Sequence, residues 1–458
     1  MQSKHFISLT MILLLALFVR THRLTELMSF VGDQAWYYLS ARDAILHGNV
    51  PLVGITASRT WLHQGALWTY LLIPILGMAK FHPVAPALFT SVLGVMTVGC
   101  VYAVARRFFN ERTGLVAAFL YATSPLVIVN DRLPYHTTLT PIITLGILYV
   151  LYKLIHETDH GRKKYMPLLV ISLVLMYLAN LGGIIMVYVV VSFIATGFFL
   201  HEKWARVFLN KKLILQSAVM AGILLIPTIL YDVSHGFPQT VKFVSWMISR
   251  PFLVFVKQST TSSWGDVIAF LGATLQKIIF YPSVWIAMVV FIGSGALLTR
   301  SFHWRSYKKP INMLTIFTGL TLLGVLLNKT ASNAYTQVLF PGVIILLAYV
   351  LANYIKGTML WFILALLAFV NVYSLMGDNY GVMIPMKERL AKASEIAKEK
   401  SGYIIGGDGP GSEFRSFTMN TEYLTWWLGN EPATGSAQVI YIMSEKNVQL
   451  SVYRTVQK

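Results

Sequence analysis

Charged residues are scarce in this sequence, and their scarcity excludes an ordinary soluble globular protein. Only 12% of the 458 residues are charged and 56% are hydrophobic, whereas soluble globular chains carry about 25% charged residues. Cysteine is nearly absent: the single Cys100 lies in an apolar segment, so it forms no intrachain disulfide and indicates no metal or redox site. The composition therefore predicts an integral membrane protein.

Apolar segments recur along the chain at a spacing that fits membrane-spanning helices. A helix needs about 20 residues to cross the hydrocarbon core of a bilayer. The segment 20–23 contains two arginines and no small-residue cleavage site, so we interpret the first apolar segment as an uncleaved helix rather than a signal peptide. The predicted spans number about eleven: 6–19, 85–105, 113–129, 140–155, 166–180, 183–200, 213–231, 283–299, 311–327, 337–354 and 358–376.

Basic residues are concentrated in every second loop between these spans, on the same side as Lys4. Because cytoplasmic loops of membrane proteins are enriched in Lys and Arg, this side is predicted to be cytoplasmic. The net charge of +18 is then explained by topology and by contact with anionic lipids, rather than by nucleic-acid binding.

Three longer segments are predicted to face outward: 23–84, 232–282 and a C-terminal tail from residue 377. The first two contain Trp and Tyr residues that suit helices lying in the membrane interface. The tail has a charged amphipathic segment, 387–400, strand-like segments at 403–405 and 439–443, and a helical segment at 417–428. We therefore predict an all-α polytopic transmembrane domain at 1–376 and a small α/β module at 377–458.

Two acidic residues lie where predicted spans end, and acids at the edge of the hydrocarbon layer are costly to place. Asp33 follows the first span and Asp131 lies at the outer end of the third. Each has a simple structural alternative: Asp33 could cap a helix over 35–46, and Asp131 could be a solvated loop residue paired with Arg132. Together, on one predicted surface and among aromatic residues, the two acids favour a functional site.

Sugar transfer from a phosphate donor to a hydroxyl requires groups that these outer segments contain. A carboxylate must take the hydroxyl proton, positive charge must neutralise the leaving phosphate, and flat apolar surfaces must hold the sugar and a lipid tail. Asp33 and Asp131 are the candidate catalytic carboxylates. The candidate phosphate ligands are Arg59, His63 and Arg132, and the candidate sugar or lipid-tail contacts are Trp36, Tyr37, Tyr38, Trp61 and Trp68.

The segment Asp33-Gln34-Ala35-Trp36-Tyr37-Tyr38 resembles the first-loop motif of the GT-C polytopic glycosyltransferases. Within them it is similar to the group that holds the protein O-mannosyltransferases, which use dolichyl-phosphate-mannose, and the lipid A aminoarabinose transferases. The segments 48–54 with 63–71, and 124–126 with 131–134, resemble bacterial members of that group. The resemblance covers about residues 1–200 and extends over the remainder mainly by topology.

This resemblance implies a polyprenyl-phosphate sugar donor and a catalytic carboxylate in the first outer loop, here Asp33. Asp131 matches a second acid of the aminoarabinose-transferase branch. Members often have Asp-Glu in the first loop, where this chain has the neutral amide Gln34. Gln34 is a candidate contact for the sugar or the lipid tail. No cofactor is firmly implied, and the need for a divalent cation stays open. Many members have a basic residue where this chain has Ala334, and the nearby Lys329 is the candidate phosphate ligand in that loop.

The sequence thus predicts a membrane glycosyltransferase that moves a sugar from a polyprenyl-phosphate donor to a lipid, glycan or protein acceptor, with inversion at the anomeric carbon. The predicted location is the cell membrane, with the N-terminus cytoplasmic and the active site and C-terminus outside. Two alternatives stay open: a polytopic transporter or flippase of lipid-linked sugars, and a non-catalytic subunit of an envelope complex. Transporters usually have ionisable residues near the midplane and repeated halves, and neither feature is evident in the sequence.

Overall fold

A computed structural model describes residues 2–57, 62–249, 252, 262–302, 306–329, 331–446 and 449–456. Up to residue 377, the described part of the chain is built from helices and the turns between them. These helices are α1 Gln2–Thr21, α2 Leu24–Leu27, α3 Gly32–His47, α4 Leu67–Met78, α5 Ala85–Phe108, α6 Glu111–Thr123, α7 Pro125–Asp131, α8 Thr140–His156, α9 Asp159–Ala179, α10 Ile185–Phe199, α11 Lys211–Leu224, α12 Ile226–His235, α13 Pro238–Ser249, α14 Trp264–Ile279, α15 Val284–Ser301, α16 Pro310–Leu327, α17 Phe340–Tyr354 and α18 Gly357–Gly377.

The predicted multi-pass membrane architecture is confirmed, but the count of eleven spans is not. Within the described ranges, six helical segments are long and apolar enough to cross a membrane, and three bent pairs of helices raise the number to at most nine. The apolar part of α1, His5–Thr21, is shorter than a full span. Helix α9 begins with the basic run 162–164, so it is less uniformly apolar than a typical spanning helix.

The bend between α6 and α7 determines where Asp131 lies. The two helix axes differ by 66°, and the break falls at Ser124, which has extended backbone angles before Pro125. A residue before proline is sterically biased toward such angles, so a helix usually ends there. The Ser124 hydroxyl donates to the carbonyl of Ile278 at 2.8 Å, which anchors the break against α14.

Two large hydrophobic cores and three smaller ones lie among the described residues. The larger one lies among α5, α6, α8, α10 and α17 and includes residues such as Tyr121, Leu148 and Phe340. The second lies outside the main bundle, where α3 and α4 pack against the C-terminal part of the chain through Tyr38, Trp68 and Tyr423. The first outer segment and the C-terminal region therefore share one core.

The C-terminal region is the predicted small α/β module. Its elements are α19 Met386–Ile396, β1 Tyr403–Asp408, α20 Met419–Trp427, β2 Val439–Lys446 and β3 Gln449–Val456. Strand β1 pairs with β2 in parallel, with Tyr403 opposite Val439, and β2 pairs with β3 antiparallel. The connection from β1 to β2 contains α20, as parallel neighbours require a crossover. The edge strand β3 was not predicted from the sequence.

The module is docked on α3 by specific contacts. The Tyr423 hydroxyl donates to the carbonyl of Phe81 at 2.7 Å, and its ring lies 5.1 Å from that of Tyr38, centroid to centroid. Arg42 of α3 pairs with Glu431 at 2.8 Å. These contacts fix the module against the helix that carries Asp33.

Candidate active site

Asp33 lies in the first turn of α3, which begins at Gly32 after the extended residue Val31. The side-chain oxygen of Gln34 accepts a hydrogen bond from the Val31 amide at 2.9 Å, so Gln34 supports the start of the helix. Asp33 is therefore not the N-cap residue that the sequence offered as an alternative. It is half-buried, at a helix N-terminus where the dipole favours negative charge.

The carboxylate of Asp33 is held by a residue from the C-terminal module. The hydroxyl of Ser416 donates to Asp33 Oδ1 at 2.7 Å. Ser416 belongs to a 3₁₀ turn, Arg415–Thr418, that precedes α20. The backbone of this turn lies so close to α3 that a Cβ on Gly32 would collide with the Ser416 carbonyl oxygen. Glycine at position 32 is thus required for this close approach.

Two tyrosines border Asp33. Burial raises the pKa of Tyr37 well above its ordinary value, and the neighbouring Tyr135 and Asp33 raise it further. Burial, and then the charge of Asp33, likewise raises the pKa of Tyr135. The Tyr37 ring lies 5.9 Å from that of Tyr135, and Trp36 is half-buried beside Tyr37 at 5.1 Å. Both phenols stay protonated at neutral pH, so each can donate a hydrogen bond near the carboxylate.

Tyr37, Tyr38 and Trp68 were predicted as substrate contacts, but the structure places all three in the packed core. Each side chain has no exposed surface. The Tyr38 hydroxyl donates to the carbonyl of Pro83 at 3.0 Å, and the Trp68 ring lies 6.4 Å from that of Phe89. Their burial favours a packing role, in which they hold α3 and α4 together beneath the candidate site.

Asp131 forms a buried ion pair with Arg20 of α1. Both Nε and Nη2 of Arg20 lie 2.9 Å from Asp131 Oδ2, and the side chains are only 0% and 2% exposed. Arg20 also donates to the carbonyls of Ala16 and Ala122. The interpretation of Asp131 as a solvated loop residue paired with Arg132 is therefore wrong, because the bend at Pro125 turns this end of the helix inward. The carboxylate joins α7 to α1.

Arg132 also hydrogen-bonds to the end of α1. Its Nη1 donates to the carbonyls of Arg20 and His22, each at 2.9 Å, and its guanidinium lies 3.8 Å from the centre of the Tyr380 ring. Burial lowers the pKa of Arg132 to about 10, so it remains charged at neutral pH. A cation on the last carbonyls of a helix is stabilising, and this position favours a structural role over phosphate binding.

His63 lies in the first outer segment, where it forms an antiparallel bridge with Thr56. Its Nε2 is 3.2 Å from the Tyr231 hydroxyl and its Nδ1 is 3.2 Å from the carbonyl of Gly54. Its amide donates to Gln239 Oε1 at 2.9 Å, so the imidazole and the backbone both link the first outer segment to α12 and α13. Two other predicted site residues of this segment, Arg59 and Trp61, lie outside the described residues.

A groove lies between α10 and α16. The side chain of Gln64 accepts a hydrogen bond from the amide of Leu181 at 2.9 Å, at the start of the turn that leads into α10. The groove has a volume of about 260 Å³, and its lining is mainly apolar: Ile184, Ile185, Tyr188, Val189, Ser192, Leu320, Leu323, Gly324, Leu327 and Asn328. Lys329 follows directly after this lining, half-buried, with Nζ 5.3 Å from the centre of the Trp264 ring.

The structure thus brings together Asp33, Tyr37, Tyr135 and Ser416, and separately places Lys329 at one end of an apolar groove. Sequence reasoning missed Ser416, Tyr135 and the partner of Asp131, Arg20. Only Tyr135 had a local signal, because it follows Asp131 closely in the sequence. Over the described ranges, no group of three or more His, Cys, Asp or Glu side chains could hold a metal ion.

The fold is that of the polytopic GT-C glycosyltransferases. Residues 63–231 match the family model described as dolichyl-phosphate-mannose-protein mannosyltransferase. A search of curated proteins by sequence found no match.

Solved structures of two proteins share this fold. ArnT from Cupriavidus metallidurans bound to undecaprenyl phosphate is similar at a TM-score of 0.61 and 14% identity, over 96% of this chain and 93% of that one. Its apo structure gives a TM-score of 0.63 at 13% identity, over 97% and 94%. A third structure is the archaeal oligosaccharyltransferase AglB from Archaeoglobus fulgidus in complex with an inhibitory peptide and a dolichol-phosphate. It is similar at a TM-score of 0.54 and 13% identity, over 95% of this chain and 60% of that one. The predicted resemblance is thereby confirmed.

Proposed function

We propose that this protein is a membrane glycosyltransferase that moves a sugar from a polyprenyl-phosphate donor to an acceptor hydroxyl at the outer face of the membrane. The observation that carries the proposal is the setting of Asp33. Its half-buried carboxylate lies at the N-terminus of α3, held by Ser416 on one oxygen and bordered by two protonated phenols. The GT-C fold around it supports the same reaction class.

In the proposed reaction Asp33 acts as general base. Its free oxygen takes the proton of the acceptor hydroxyl, and the hydroxyl oxygen forms a bond to the anomeric carbon of the donor sugar. The bond between that carbon and the phosphate oxygen breaks, and polyprenyl phosphate leaves with the electron pair. One displacement from the opposite face inverts the configuration at the anomeric carbon. Tyr135, which is only half-buried, would hold the reacting groups by donating a hydrogen bond, and the fully buried Tyr37 packs against it.

The donor would place its lipid tail in the groove between α10 and α16 and its phosphate near Lys329. A largely apolar groove suits an isoprenoid chain, and a cation at its end suits the leaving phosphate. The structure of ArnT contains undecaprenyl phosphate and that of AglB contains a dolichol-phosphate, which supports a lipid donor of this class. His63 precedes Gln64, which contacts the turn before α10, and Arg59 of the same segment stays a predicted phosphate ligand.

The proposed location is the cell membrane, with the N-terminus in the cytoplasm and the active site and C-terminal module outside. The alternation of basic loops along the sequence supports this orientation. This orientation would place three parts of the protein on the outer side of the membrane: α3, the end of the groove at Lys329, and the C-terminal module.

The proposal is tested by measuring release of polyprenyl phosphate from a panel of polyprenyl-phosphate sugars by the full chain in liposomes. Acceptor-dependent release from at least one donor is expected. If well-folded protein released none from any donor and instead showed counterflow of lipid-linked sugar, the glycosyltransferase proposal would be wrong and a transporter would be favoured.

A further inference from the structure

We propose that Ser416 is a positioning residue for Asp33, so that the C-terminal module forms part of the active site. This inference rests on the proposed function, in which Asp33 is the base. It goes beyond that function because it gives the module a direct task in the chemistry. The alternative is a module that is merely attached to the membrane domain.

The hydrogen bond between the two side chains has the geometry that this task needs. The Ser416 hydroxyl donates to Asp33 Oδ1 at 2.7 Å, within the usual range for an oxygen–oxygen hydrogen bond to a charged acceptor. Because Oδ1 is occupied, the carboxylate is restrained from turning about its side-chain bonds. The remaining oxygen, Oδ2, then has a defined direction for receiving the acceptor proton.

Ser416 can restrain Asp33 because the turn that carries it is itself fixed against α3. On one side, the close approach of the Ser416 backbone to Gly32 leaves no space for a side chain at position 32. The side-chain amide of Asn420, in α20 just after the turn, donates to the carbonyl of Phe30 at 3.2 Å. The backbone of the turn is therefore located by contacts with the chain just before and at the start of α3.

On its other side, the turn is tied to α20. Both Arg415 and Thr418 donate to Glu422 Oε1, at 2.8 Å and 2.6 Å. These two residues flank Ser416, so the position of its hydroxyl follows the position of α20. Since α20 packs on α3 through Tyr423 and Tyr38, docking of the module determines where the hydroxyl lies.

The helix that carries Asp33 does not depend on this hydrogen bond for its own structure. Helix α3 starts with the bond from Val31 to Gln34 and packs in the second core through Tyr37 and Tyr38, both fully buried. Loss of the Ser416 hydroxyl should therefore leave the fold intact and release only the carboxylate. A well-aligned base accelerates reaction by reducing unproductive geometries, so the effect should appear in kcat rather than in donor binding.

The experiment compares wild type with Ser416→Ala, Ser416→Thr and Asp33→Asn in the full chain, with a donor that wild type uses. Ser436→Ala is the matched control, because Ser436 is an exposed serine of the same module. We expect Ser416→Ala to lower kcat by about 10- to 100-fold, as for loss of a hydrogen bond to a charged group, with the KM for donor within about twofold. Ser416→Thr keeps the hydroxyl and should restore most of the loss.

A second measurement separates positioning from structure. Adding Ser416→Ala to Asp33→Asn should change the residual rate by less than about twofold, because the restrained carboxylate is already absent. The inference would be overturned if Ser416→Ala matched Ser436→Ala, or if it lowered the rate equally with and without Asp33. If Asp33→Asn kept full activity, the assignment of the base would fail first, and with it this inference.

Discussion

Replacement of Asp131 distinguishes a structural carboxylate from a catalytic one. Asp131→Asn keeps the shape of the side chain but leaves the guanidinium of Arg20 buried without its carboxylate. Breaking a buried ion pair by removing one partner costs about 3–5 kcal/mol. Arg20 keeps its hydrogen bonds to the carbonyls of Ala16 and Ala122, so we expect the lower end of that range, about 3 kcal/mol.

The double variant Arg20→Gln with Asp131→Asn should recover most of this loss, because two neutral amides can hydrogen-bond across the same gap without an unbalanced charge. The assay is unfolding in mixed micelles, followed by far-ultraviolet circular dichroism, together with transfer activity per folded molecule. We expect Asp131→Asn to be less stable while its folded fraction keeps kcat within about twofold. Wild-type stability with lost transfer activity would refute this reasoning and make Asp131 catalytic, as the sequence first suggested.

Three further changes have defined outcomes. Gly32→Ala should displace the turn that lies on α3, at a cost of about 1–3 kcal/mol for an overpacked contact, and hydrogen exchange should become faster throughout the C-terminal module. Lys329→Gln should weaken donor binding about tenfold or more, the loss of one charge-assisted hydrogen bond, in a titration with polyprenyl phosphate. Glu399→Gln should reduce the hydrogen-exchange protection of β3, because it removes the ion pair with Arg454 of that strand. The hydrogen bond from Arg454 is the main reason that the pKa of Glu399 is lowered from 4.5 to about 2. Since this pKa is lowered in the folded state, the contribution of Glu399 is complete above pH 4.5 and is lost as the pH falls toward 2.

Each of these changes has a matched control. Gly77→Ala is a helical glycine whose added Cβ would meet its nearest neighbour only at 4.0 Å, so exchange in the module should not change. Lys356→Gln removes an exposed lysine from a loop predicted to be cytoplasmic, and donor affinity should stay the same. Glu395→Gln removes an exposed carboxylate paired with Lys392, and the protection of β3 should be unaffected. A control that behaved like its test variant would contradict the corresponding assignment.

The helical membrane architecture could be predicted because apolar composition acts locally along the chain. Residues such as 85–105 and 358–376 are apolar enough to identify a helix without any knowledge of its neighbours. The number of spans was less predictable, since α1 is short and α9 starts with a basic run. Strand β3 was missed because its sequence alone has a mixed polar pattern. The feature that defines it is its antiparallel pairing with β2, which a local pattern does not show.

The site was predictable only as far as its motif is local. Asp33 and Tyr37 share one helix turn and could be found together. Ser416 lies 383 positions from its partner Asp33, and Arg20 lies 111 positions from Asp131, so no local pattern indicates either pair. Aromatic residues were predicted as surfaces for substrate, but Tyr38 is buried, because composition does not show which face of α3 is covered by the module.

The central claim is tested most directly by comparing Asp33→Asn with Asp43→Asn in the same transfer assay. Asp43 lies on the same helix, is partly exposed, and pairs with His47 at 2.8 Å, so it controls for charge and helix stability. If Asp33 is the base, Asp33→Asn should lower kcat by about 10²–10⁴-fold, the usual contribution of general-base catalysis, while Asp43→Asn stays near wild type. A folded Asp33→Asn protein that releases polyprenyl phosphate at the wild-type rate would contradict the account.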